Sequence, residues 1–189
     1  MYWMLRCEAP IGSQPALPSY YPDDMGDGEL RSWKSARRFP QPPPSPIEVH
    51  IDEGESGLVL ELYDANIALM SGRLAAALKG AGVTNVDFYS AVVIDHDKGT
   101  RHLDHVAFNV VGAIALADLR RSTFSAHDGL TVSVDFDRLV LAEARARGAL
   151  FFRLAESVNG IVVHQRVRDA VLAAGIDTLA FGKPENWVG

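Results

Sequence analysis

Cysteine is almost absent from this sequence: Cys7 is the only one in 189 residues. One thiol excludes an intrachain disulfide and any thiolate metal cage built within one chain, which fits a reducing cytoplasm. Long apolar runs are also missing. No window approaches the roughly 18 uninterrupted apolar residues of a membrane helix, and the opening "MYWMLRCEAPIG" has no basic leader followed by an apolar stretch. A cytoplasmic protein without a membrane partner is the expectation. Basic excess is lacking too, because 18 Lys and Arg stand against 24 Asp and Glu, a formal charge of −6. Domains that grip phosphate backbones usually carry a strong positive surplus, so nucleic acid is not the expected partner and a basic protein suits better.

The familiar catalytic motifs are missing as well. The chain has no phosphate-cradling GxxxxGK, no GxGxxG after a strand, no HExxH and no GxSxG elbow. Cys7 sits in a strand-like run, where a small buried hydrophobe is the commoner role than a nucleophile. Nothing in the sequence demands an enzyme or a cofactor.

What is present is 48% hydrophobic residues, enough for one substantial core. Residues 2–7, "YWMLRC", read as a first strand. From Glu8 to Pro46 the chain is rich in Pro, Gly, Ser and Asp, and "FPQPPPSP" favours extended polyproline geometry, so 8–46 reads as a loop or arm. Within it "RSWKSARR" sets Arg31, Lys34, Arg37 and Arg38 around Trp33. Such a group could stack a base and hold phosphate, but a surface turn whose tryptophan packs on the body fits the acidic total better. The division is therefore 1–46, strand plus arm, and 47–189, a domain that forms one compact unit with strand 2–7.

Beyond the arm the pattern is regular. "IEVHI", "GLVLEL" and "NIALM" read as short strands. A helix begins near Ser71, a suitable N-cap, with Leu74, Ala77, Leu78 and Ala81 on its apolar face and Gly82 as its stop. "VDFYSAVVID" and "HLDHVAFNVVGAIAL" read as two long strands around the turn "HDKG"; "LTVSVDFDRLVL" carries two more strand-like runs and "GALFFRLA" another. A second helix runs from about His164 to Ala174, stops at Gly175 and leads into "DTLAF". The fold class is α+β, a mostly antiparallel sheet with two main covering helices.

Each helix lies in a strand-helix-strand unit, and the two units resemble each other. Laying 66–88 over 159–181 matches Asn66 with Asn159, Arg73 with Arg166, Ala77 with Ala170, Ala81 with Ala174, Gly82 with Gly175 and Phe88 with Phe181. Apart from arginine, the shared residues are packing residues, so this internal repeat repeats a core and not an active site.

One segment has metal-like composition: "VIDHDKGTRHLDH" holds Asp95, His96, Asp97, His102, Asp104 and His105. If His96 pairs with Arg101, then Asp95, Asp97, His102 and Asp104 share one face and His96 and His105 the other. Only one histidine then joins the carboxylates, and an exposed polar hairpin is the main reading. A one-residue bulge would change this geometry; with His102 and His105 as candidate ligands, the alternative is a metal-dependent hydrolase using the hairpin 95–105. The stretch from Ile47 to Asp64 is acid-rich, with Glu48, Asp52, Glu53, Glu55, Glu61 and Asp64 and no Lys or Arg. Such a strip is either a solvated face or a surface that meets a basic protein.

Three segments carry a family likeness: "FNVVGAIALADLRRSTF", "RLVLAEARARGALFFRLAES" and "GIVVHQRVRDAVLAAGIDTLAF". Together they resemble the eleventh family of immunity proteins of bacterial polymorphic toxin systems, the Myxococcus type. The features that match are Asp118 and Ser122 after the central strand, the strand of Phe152, Arg153, Leu154 with Glu156, and the closing helix and strand. The likeness spans roughly Ile47 to Phe181 and the opening strand, and the arm departs from it. It implies an antidote that binds a cognate toxin domain and occludes it, with no catalytic residue of its own. The expected contact surface is then Asp52, Glu53, Glu55, Asp95, Asp97 and Asp104.

Overall fold

In the computed structural model, residues 1–21, 32–65, 67–126 and 134–188 are described. Their strands are β1 (Tyr2–Cys7), β2 (Pro18–Ser19), β3 (Ile47–Ile51), β4 (Leu62–Asp64), β5 (Ala68–Ser71), β6 (Val86–Asp95), β7 (Thr100–His102), β8 (His105–Val110), β9 (Ala113–Ile114), β10 (Thr123–Ala126), β11 (Val134–Arg138), β12 (Phe151–Leu154), β13 (Ser157–His164) and β14 (Leu179–Gly182). Two α-helices, α1 (Gly72–Gly80) and α2 (Gln165–Ala173), pack against each other. One sheet runs β2-β3-β6-β8-β5-β4 with β7 also on β6; a second runs β14-β1-β13-β12-β9; β10 and β11 form a ribbon. The class is α+β and mostly antiparallel, with parallel pairs at β3–β6 and β9–β12.

Both helices start where their sequences suggest. Ser71 Oγ accepts from Leu74 N at 3.1 Å, and His164 Nδ1 accepts from Arg166 N at 3.2 Å, each filling an orphan donor of a first turn. Leu74, Ala75 and Leu78 of α1, and Val167 and Val171 of α2, are buried. Gly82 and Gly175 end them at φ of 90° and 71°, backbone that a side chain would strain.

The repeat is a repeat of topology. β5 and β6 flank β8, antiparallel to both, and α1 crosses between them; β13 and β14 flank β1 in the same manner, and α2 crosses. The registers coincide. Leu69 and Tyr89 both face Ala107 as Val162 and Gly182 both face Met4, Ser71 faces His105 as His164 faces Tyr2, and Phe88 faces Phe108 as Phe181 faces Leu5. Asn66, and with it the match to Asn159, lies outside the described residues.

Two strand expectations need correction, and a third falls partly outside the described residues. "GLVLEL" is not one strand: Leu58 makes an isolated bridge to Pro15, and only Leu62 enters β4. The chain is pressed against the arm at Gly57, where an added Cβ would sit 2.4 Å from the Gln14 carbonyl oxygen. "HLDHVAFNVVGAIAL" is split into β7, β8 and β9. Between the pairs Val93–His102 and Ser90–Val106, β6 advances by three residues while its partner advances by four, which places a bulge at Leu103–Asp104. In "LTVSVDFDRLVL", Val134–Arg138 is strand, while 130–133 lie outside the described residues.

The arm is laid into the fold. Trp33 and Phe39 are buried and meet edge to face at 4.9 Å, and Phe39 stacks on Tyr89 at 5.8 Å. Asn109 Nδ2 donates to the Arg37 carbonyl at 2.7 Å, and Gly112 N to that of Ala36 at 2.8 Å. A buried Trp33 cannot stack a base, while Lys34 donates to Asn159 and Arg38 pairs with Asp87. Arg31 lies outside the described residues.

Candidate functional site

Parallel pairing of β3 with β6 decides where the acids go. Ile51 faces Asp95 at the ends of both strands, so the acidic loop after β3 and the hairpin after β6 leave the sheet side by side. They are tied together: His96 N donates to the Ile51 carbonyl at 3.1 Å, Gly54 N to Asp97 Oδ2 at 2.9 Å, and Lys98 Nζ to the Gly57 carbonyl at 3.0 Å. Asp52, Glu53, Glu55 and Asp97 thereby come to one corner, and among the described residues none of them is paired with lysine or arginine. Two segments more than 40 residues apart form one acidic surface.

Asp95 is the exception and corrects the expected contact set. It is 0% exposed and accepts from Ser56 Oγ at 2.8 Å and Lys98 N at 3.1 Å, with Lys98 Nζ at 3.2 Å. Burial pushes its carboxyl up, but the Ser56 and Lys98 hydrogen bonds and the Lys98 charge outweigh that and hold it below the usual range. Asp95 pins the hairpin to the loop and offers no surface to a partner. Beside it, His50 Nδ1 and His96 Nε2 lie 3.0 Å apart, and Tyr21 of the arm donates to Asp52 Oδ2 at 2.6 Å.

The hairpin register also differs from expectation. Asp95 faces Thr100 and Ile94 faces Arg101: the turn spans four residues, as a His96–Arg101 pair would require, but begins one residue earlier, at 96–99 instead of 97–100. With the extra residue at Leu103–Asp104, His102 and His105 both border one cleft of about 490 Å³, together with Asp104, Glu61, Ser71 and Arg73. The two metal candidates are thus brought together, yet His105 is fully engaged. Its Nε2 lies 3.0 Å from the Leu60 carbonyl, an oxygen that can only accept, and its Nδ1 lies 3.0 Å from Asp104 Oδ1. Among the described residues no group of three or more His, Cys, Asp or Glu is arranged to hold a metal ion.

The remaining cleft residues serve the start of α1. Glu61 accepts from Ser71 Oγ and from Arg73 Nε at 2.8 Å. Burial raises its carboxyl, but the Arg73 and Ser71 bonds and the Arg73 charge bring it below the ordinary value. Asp104 is likewise lowered, its partial burial being outweighed by the bond and charge of His105.

The residues that carry the family likeness are architectural. Arg153 is fully buried; its Nη1 donates to Asp64 Oδ2 at 2.9 Å and the Val158 carbonyl at 2.8 Å, and its Nη2 to Asp64 Oδ1 at 2.7 Å and the Trp33 carbonyl at 3.3 Å. One guanidinium joins both sheets and the arm. Glu156 is buried and accepts from Ala117 N at 3.2 Å, and burial raises its carboxyl. Ser122 Oγ accepts from Val140 N at 2.9 Å, and Arg121 N and Ser122 N both donate to the Asp118 carbonyl.

This is an α+β scaffold whose signature residues hold the fold and whose loops gather acidic charge at one corner. Comparison with protein families places the chain within one: the immunity protein family (Imm11) matches residues 12–186, and the chain belongs to that family. The resemblance read from sequence covered Ile47 to Phe181 and the opening strand and left out the arm, whereas the match takes in the arm from residue 12 onward. Comparison with curated proteins finds no match.

Sequence reasoning missed Leu17, Tyr21 and Leu58 at this corner. They stand in irregular segments where no periodicity reports which way a side chain faces.

Proposed function

We propose that this protein is an antidote: it binds a cognate polymorphic toxin domain in the cytoplasm and neutralises it by covering the toxin's working surface. The family match over residues 12–186 carries this reading. Neutralisation by coverage needs a complementary surface and no chemistry in the antidote. The corner of Asp52, Glu53, Glu55 and Asp97 supports it, with Asp104 on the rim of the neighbouring cleft. A basic toxin surface suits these carboxylates, which would speed encounter and reject wrong partners. The test is affinity capture of the tagged chain from its own cells at moderate salt, with mass spectrometry of what remains bound. A toxin domain recovered in equimolar amount is the expected result; repeated recovery of the chain alone would contradict the reading.

A further inference from the structure

The apolar surface of this protein is unevenly spread. Of the eight strongly exposed large apolar side chains among the described residues, four are Leu17 at 55%, Tyr21 at 59%, Leu58 at 42% and Leu103 at 77%. Leu17, Tyr21 and Leu58 belong to the acidic corner and its cleft, and Leu103 lies in the bulge beside that cleft. Leu17 N donates to the Glu55 carbonyl at 3.1 Å, Tyr21 to Asp52, and Leu58 N to the Gln14 carbonyl at 2.8 Å. Leu58 also lines the cleft, and Leu103 stands in the bulge between its neighbours His102 and Asp104. Single exposed leucines are ordinary, but a cluster edged by charge has the make-up of a contact surface, apolar at its centre and polar at its rim.

Edge protection alone does not account for it. β2 closes the edge of the larger sheet by pairing with β3 through Pro18 and Ser19, and a proline there is enough to discourage further strands. Leu17 and Tyr21 flank that short strand and still face solvent, although the arm buries Trp33 and Phe39 further along. The same segment can bury its apolar groups and leaves these two out.

We infer that Leu17, Tyr21, Leu58 and Leu103, together with the neighbouring carboxylates Asp52, Glu53, Glu55 and Asp97, form the docking surface, and that the protein segment it receives presents an apolar side chain within a basic rim. This rests on the antidote reading and adds to it the arm as a recognition element. The apolar centre sets the lifetime of the complex, because its burial is lost on separation; the carboxylates set the rate of encounter.

The experiment uses the full chain and the toxin domain recovered by capture, and measures association and dissociation rates across salt concentrations. Three variants are compared with the parent: Leu17→Ser with Leu58→Ser, Leu103→Ser alone, and Glu53→Lys with Glu55→Lys, each with its unfolding midpoint recorded. The two serine variants are expected to dissociate about tenfold faster with association nearly unchanged, and the lysine variant to associate about tenfold more slowly with a flattened salt dependence. Since Leu103 lies in a different segment from Leu17 and Leu58, misfolding of one serine variant leaves the other to decide. Parent-like rates in all folded variants would overturn the docking surface while the antidote reading stands. Failure of the parent chain to bind the toxin would overturn both. A parent chain that self-associates through Leu17 and Leu58, and releases as monomer in the serine variant without change in toxin binding, would make this face a contact between copies and overturn the inference.

Discussion

Arg153 has no exposed surface, and its charge is tolerated because Asp64 and two backbone carbonyls meet both terminal nitrogens. Removing one member of such a pair strands the other, which costs about 3–5 kcal/mol. Asp64→Ala is therefore expected to lower the unfolding free energy by that amount in a urea titration, and more than Arg38→Ala, whose exposed pair with Asp87 is worth ~0–1 kcal/mol. Two glutamates should tilt the pH profile in opposite directions. The raised Glu156 binds its proton more tightly folded than unfolded, so stability falls as pH climbs through the interval above the ordinary glutamate value. Glu156→Gln, which mimics the protonated form, should remove that slope and be at least as stable at neutral pH. Glu61 is lowered, so its contribution is present above the ordinary value and is lost as pH falls through its folded value; Glu61→Gln should lose stability at neutral pH and little at low pH. Urea midpoints from pH 3 to 8 check both, and equal slopes in parent and variants would contradict the assignment.

At the scale of elements, the seam between arm and acidic loop depends on the absence of a side chain at Gly57. A Cβ there would meet three backbone atoms of residues 14–16 within 2.8 Å, none of which can swing aside. Gly57→Ala is expected to cost about 1–3 kcal/mol and to speed hydrogen exchange at the Ala16 and Leu58 amides, which bond across the seam; unchanged exchange would show that the seam does not need close approach. The same scale shows what the sequence made legible. Both helices, with Ser71 as a cap and Gly82 and Gly175 as stops, were readable because capping and helix periodicity are local. So was the repeat, although only pairing registers show that β8 and β1 are its equivalent middle strands. The bulge at Leu103–Asp104 was not readable, since an extra residue in a ladder leaves no mark in composition. Nor was the parallel pairing of β3 with β6, a contact between residues more than 40 apart in which neither strand differs from an antiparallel one. That pairing made the corner: the sequence named Asp52, Glu53, Glu55 and Asp97 as separate stretches, and wrongly added Asp95, whose burial depends on Ser56 and Lys98 folding over it.

For the whole molecule, a net charge of −6 and a corner whose carboxylates have no lysine or arginine partner among the described residues fit the proposed basic partner, which long-range attraction would draw in. Within one Debye length, about 10 Å at 0.1 M salt, that attraction survives; beyond it salt removes it, so association should slow as salt rises while dissociation changes little. The two βαβ-like units, whose helices meet, form the regular part of the fold, and the arm, the acidic loop and the hairpin are its irregular segments, where the proposed docking surface lies. In the antidote reading, covering the toxin is what silences it. The most direct measurement is a titration of the captured toxin domain's activity with this protein at a toxin concentration well above the dissociation constant. Activity that falls linearly to zero at one equivalent is the expected result. A stable complex that keeps full toxin activity at excess protein would contradict it.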